Sequence, residues 1–134
     1  MPLHDALHAV RAHADEFIAF RRDIHRHPEL PFEEHRTSAL VAERLESWGY
    51  RVERGLGGTG LVAQLRRGEG TRRLGLRADM DALPVLEETG LPYASCRHGV
   101  MHACGHDGHT AMLMCAAKAL AASDGWSGRM NLVL

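Results

Sequence analysis

Between Gly49 and Arg77 the chain reads GYRVERGLGGTGLVAQLRRGEGTRRLGLR, and within it the spacing of apolar residues changes from helical to alternating. Tyr50 to Arg54 alternates apolar and polar residues, Leu61 to Leu65 reads as a short strand, and Arg73 to Arg77 as another. Three strands are expected, with Gly55 to Gly60 and Arg66 to Thr71 as the turns between them. Upstream, Leu7, Val10, Ala14, Phe17, Ile18 and Ile24 recur at helical spacing until Pro28, so one long amphipathic helix is expected from Leu3 to about Ile24. A second helix, about Phe32 to Trp48, carries Leu40, Val41, Leu45 and Trp48 on one stripe and stops at Gly49. Downstream, the composition turns to Ala, Met and Leu from Gly108 to about Ala122, a third helix with Asp107 as its expected N-cap. Arg129 to Leu134 is a fourth strand. Asp79 to Gly108 has no sustained period and reads as a long ordered loop, a length that tends to be functional. Helix, helix, three strands, helix, strand implies an α/β sandwich on a mostly buried, mixed sheet.

The 134 residues suit one ordinary domain, and 45% hydrophobic with 25% charged residues excludes collagen-like, disordered and disulfide-scaffold classes. Sixteen Lys+Arg against seventeen Asp+Glu leave a net charge of -1, so no global field gathers nucleic acid or anionic lipid. Neither is expected as a partner. The first twenty residues hold no apolar signal core, and no stretch approaches the roughly 18 apolar residues of a membrane span. Three cysteines, Cys96, Cys104 and Cys115, are an odd number, which suits reduced thiols in a cytoplasm better than disulfides. Cys115 lies in the apolar helix and reads as a core thiol. Histidine is the outlier: there are ten, four of them between His98 and His109, so chemistry is sought there.

His102-Ala-Cys-Gly-His-Asp-Gly-His109 puts one thiol, three imidazoles and a carboxylate at a loop-to-helix junction. These are ligand types for a borderline divalent ion such as Zn²⁺. Cys104 and His106, at i and i+2 around Gly105, can face one ion, and a helix N-terminus favours the thiolate. Arg77-Ala-Asp-Met-Asp-Ala-Leu-Pro84 follows a strand, and on its continuation Asp79 and Asp81 point the same way. A carboxylate beside a ligating imidazole fixes its tautomer and raises its basicity.

Arg21-Arg-Asp-Ile-His-Arg-His-Pro-Glu-Leu30, Phe32-Glu-Glu-His35, the Arg77 to Pro84 segment and Met101-His-Ala-Cys-Gly-His-Asp-Gly-His-Thr110 occur in this order. Together they resemble the hippurate hydrolase and N-acyl-amino-acid amidohydrolase branch of the aminoacylase and carboxypeptidase metallopeptidases, which includes the auxin-conjugate hydrolases. The resemblance spans about residues 16 to 134. It implies a three-layer α/β sandwich with a mixed sheet, a zinc-exopeptidase-like catalytic domain, of which residues 1–134 are the leading portion. The implied reaction is metal-dependent cleavage of the amide of an N-acyl or N-aroyl amino acid, a small-molecule substrate. Two divalent ions (Zn, Mn, Co or Ni) serve the intact enzyme, which is expected to be a homo-oligomer.

By the same resemblance Cys104 and His106 are metal ligands and Asp81 is the orienting catalytic carboxylate. Asp79, His102, Asp107 and His109 back the ligands or cap the helix. His25 and His27 are expected to end the first helix, with imidazoles near the negative end of its dipole. The apolar Asn131-Leu-Val-Leu134 has no polar tail, which suggests that the chain is cut inside a strand. In the family a general-base glutamate and a glutamate ligand follow that strand, and an inserted dimerisation domain lies beyond. Here the last glutamate is Glu88, and Asp124 is the only acidic residue after Asp107. The 134 residues alone are therefore expected to be inactive. The alternative is a non-catalytic metal- or thiol-binding remnant.

Overall fold

The computed structural model describes residues 3–134, with side chains from residue 5 onward. Helices α1 (Leu3–Arg11), α2 (Ala14–Arg26) and α3 (His35–Ser47) precede strands β1 (Arg51–Leu56), β2 (Gly60–Arg67) and β3 (Arg73–Arg77), then α4 (His106–Ala122) and β4 (Gly128–Val133). The single long helix expected at the start is two, divided at Ala12 and His13. No Gly or Pro marks that joint. Asp15 and Glu16 in the first turn of α2 favour a new helix start there, because carboxylates suit the positive end of the dipole.

The second helix starts at His35, three residues later than expected. Phe32 has φ of 64°, a left-handed conformation that cannot open a right-handed helix. The Glu29 carboxylate instead accepts from the Arg36 N–H at 2.8 Å and the Thr37 N–H at 2.7 Å, satisfying donors that the helix start leaves free.

The sheet runs β1-β2-β4-β3. β1 and β2 form an antiparallel hairpin, β4 is antiparallel to β2, and β3 is parallel to β4. A parallel pair requires a crossover, which α4 and the long loop before it provide. The α/β class and the mixed sheet are as expected. Along β2 and β4, Leu61, Ala63, Met130 and Leu132 are buried and alternate with Val62, Gln64, Arg129 and Asn131. The buried set joins Phe17, Phe20 and Ile24 of α2, Val41, Ala42 and Leu45 of α3, and Met114 and Ala117 of α4 in one core. Among the described residues the helices that build this core pack on one face of the sheet. On the other face Gln64 donates to Asn131 at 3.0 Å. No described helix is long and apolar enough to cross a membrane.

Candidate metal centre

β3 and β4 finish side by side, and the Ala78 N–H donates to the Val133 carbonyl at 3.1 Å. In open α/β sheets, ligands bind beyond the carboxyl ends of such strands. Asp79 and Asp81 leave β3 at that end. Gly105, with φ of 83°, turns the chain into α4, so His106 and His109 lie one turn apart on one helix face. A side chain at Gly105 would meet strain in this left-handed conformation.

The two segments meet through their side chains. His106 Nδ1 is 2.9 Å from an Asp81 carboxylate oxygen and 3.0 Å from the Asp81 carbonyl. With Nδ1–H donating there, Nε2 presents a lone pair. That nitrogen lies 3.7 Å from Asp79 Oδ1, to which His109 Nδ1 donates at 2.8 Å. Thr110 Oγ1 donates to the Asp79 carbonyl at 2.9 Å and ties the loop to α4. The hydrogen bond from His109 holds the Asp79 carboxyl below its ordinary value against the opposing effect of burial, and His106 and Arg77 act in the same direction as His109. Asp79, His106 and His109 bring one ligand atom each to within 4.8 Å of one another. Two imidazoles and a carboxylate fit a borderline divalent ion.

Cys104 lies outside that trio, as an exposed free thiol two residues before His106. His102 is buried, and neither ring nitrogen has a protein partner. Its burial pushes the imidazole pKa down to about 4. Asp107 does not cap α4: Gly105 holds the N-cap position and no side chain caps it. The physical reason is burial, because Asp107 is inaccessible and its Oδ2 accepts from Arg21 Nε at 2.7 Å and from His25 Nδ1 at 2.9 Å. His25 does lie in the last turn of α2, but its ring turns inward between Asp107 and Glu87 instead of serving the helix end. His27 does serve it, donating from Nδ1 to the Asp23 carbonyl at 2.9 Å. Sequence reasoning missed the roles of Arg21, His25 and Glu87. The only signal was that Arg21 and His25 share one helix face, four residues apart.

Residues 75–133 match the model of peptidase family M20/M25/M40, and this stretch contains β3, the long loop, α4 and β4. Hippurate hydrolase of Campylobacter jejuni is 52% identical over 117 residues, which cover 87% of this chain and 30% of that protein. The chain resembles that amidohydrolase over most of its own length. N-acyl-L-amino acid amidohydrolase of Geobacillus stearothermophilus is 48% identical over 103 residues, covering 77% of this chain and 28% of the relative. The crystal structure of the Bacillus subtilis YXEP protein, a dinuclear metal-binding peptidase of the M20 family, superposes with a TM-score of 0.85 at 36% identity. That match covers 92% of this chain and 35% of the other. The chain thus spans about 30% of the length of the curated relatives it matches. The matched stretch carries Asp79, Asp81, Cys104, His106 and His109 together.

Proposed function

We propose that residues 1–134 form the leading portion of the catalytic domain of a metal-dependent amidohydrolase acting on N-acyl or N-aroyl amino acids. One observation carries the reading: Asp79, His106 and His109 converge beyond the parallel strand ends, with His106 tethered by Asp81. His106 offers Nε2 as a donor, and Cys104 lies two residues upstream across Gly105 as an exposed thiol. Asp81 keeps His106 in one tautomer and one orientation. Asp79 contributes negative charge, which favours a cation. A divalent ion held there, Zn²⁺, Mn²⁺, Co²⁺ or Ni²⁺, would supply polarisation of the amide carbonyl and acidification of a water toward a pKa of about 7. Asp81, engaged with His106, is held in an orienting role and not free to take a proton.

The test is a chimera in which this chain replaces the matching stretch of the Campylobacter jejuni hippurate hydrolase. Hippurate hydrolysis is expected, and Asp81→Asn or Cys104→Ala in the chimera should reduce it at least 100-fold. A folded chimera that binds metal but leaves hippurate intact would overturn the reading.

A further inference from the structure

Next to the metal-type donors lies a second polar cluster that contributes none of them. Asp107 is fully buried and follows His106 directly. Arg21 Nε and His25 Nδ1 both donate to its Oδ2, and His25 Nε2 faces Glu87 Oε1 at 3.1 Å. Glu87 in turn accepts from the Ser95 N–H at 2.6 Å and from Thr89 Oγ1 at 2.5 Å. Tyr93 meets the His25 ring edge-on at 5.6 Å, and the Arg22 guanidinium covers Tyr93 at 4.9 Å. The chain of contacts links α2, the long loop and the first turn of α4. Among the described residues Asp79, His106 and His109 are the group that gathers three donor atoms closely, whereas this cluster already carries the Arg21 guanidinium against its carboxylate.

Burying such a set of ionisable groups is a poor route to stability, since apolar replacements of similar volume are often as stable or more so. Its placement suggests another use. α4 begins without a side-chain cap and with glycine at 105 and 108, so the rotation of its first turn rests on contacts its side chains make across the fold, His106 with Asp81 and Asp107 with α2. A rotation of about 20° at a side-chain radius of about 6 Å moves an imidazole by about 2 Å, well beyond the tolerance of about 0.5 Å that a functional constellation needs. Of these contacts that of Asp107 is the fully buried one, made to Arg21 and His25 of α2.

We propose that Arg21, His25 and Glu87 are positioning residues which act through Asp107 to fix the first turn of α4, and with it the distances of His106 and His109 from Asp79. This rests on the reading of that trio as metal donors. The test uses the 134-residue chain, Co²⁺ alone as probe, and the variants His25→Gln, Arg21→Met and Arg21→Lys. In the metal-free chain, the ring resonances of His106 and His109 are followed by NMR, and the folded fraction by near-UV circular dichroism.

With the folded fraction unchanged, His25→Gln and Arg21→Met should shift both sets of ring resonances. They should also weaken Co²⁺ binding about 10- to 100-fold with an altered visible spectrum. Arg21→Lys, which keeps a donor, should retain affinity within about threefold of the original. Should His25→Gln unfold, Arg21→Met decides, because the Arg21 side chain is 38% exposed and packs less tightly than His25. Unmoved ring resonances in the folded variants would overturn the proposal, as would unchanged Co²⁺ affinity. A starting chain that takes up no Co²⁺ would overturn the metal reading, while the metal-free resonances still decide the positioning claim.

Discussion

Asp81 and His106, 25 residues apart, are joined twice: the ring Nδ1 lies 2.9 Å from the Asp81 carboxylate and 3.0 Å from its carbonyl. The doubled contact fixes both the tautomer and the ring plane. Replacing Asp81 by Asn keeps an acceptor but removes the charge that makes the imidazole a better donor toward a cation. Zn²⁺ or Co²⁺ affinity should fall about 10- to 100-fold, read by competition with a chromophoric chelator. The Asp81 side chain is 26% exposed, so thermal stability should move little. Equal affinity at equal folded fraction would contradict the assigned role.

The elements were legible where local pattern decides them. β1 announces itself by alternation, β2, β3 and β4 as short segments bounded by turns, and α4 by its run of Ala, Met and Leu. Two features were not legible. The break at Ala12 and His13 carries no Gly or Pro. Asp107 looks like an N-cap by position, yet it is claimed by Arg21 and His25, 86 and 82 residues away. The site was half-visible. Asp79 and Asp81 share a parity, but only the fold shows that Asp79 meets His109 while Asp81 meets His106.

The thiols offer a direct reading of whether Cys104 joins the metal. Cys96 and Cys104 are exposed, whereas Cys115 is buried and burial raises its pKa. A disulfide reagent at pH 8 should therefore titrate two thiols rapidly and the third only on unfolding. Saturating Zn²⁺ should leave one rapid thiol, because a ligating thiolate is protected. Two rapid thiols in the presence of bound Zn²⁺ would restrict the ligands to Asp79, His106 and His109.

Hydrolysis needs a group to take the proton of the attacking water, and the sequence provides no glutamate beyond Glu88. Asp79, Asp81 and Asp107 are each held by histidine or arginine partners. The 134-residue chain should therefore convert no hippurate above a buffer-plus-metal control, followed by release of glycine over a day. Turnover that scales with protein and disappears on Asp81→Asn would show that a group within these residues can act as the base.

His102 predicts a pH dependence that does not involve metal. Burial is the main reason its pKa falls to about 4, assisted by His25 and His106, and the Asp107 carboxylate opposes the shift. The folded chain keeps the ring neutral down to that pH, whereas the unfolded chain protonates it near its ordinary value of about 6.5. Between these values the unfolded state binds more protons, so stability rises with pH. This contribution is fully present above about pH 6.5 and is lost as pH falls toward 4, amounting to at most about 3 kcal/mol. With chelator present, the urea midpoint should thus drop between pH 7 and pH 5. His102→Leu should flatten that part of the profile and be at least as stable at pH 7, since it removes two buried ring nitrogens that have no protein partner. Parallel pH profiles for the two proteins would mean that His102 finds a proton acceptor on folding, and that its ring is not the neutral buried group its surroundings imply.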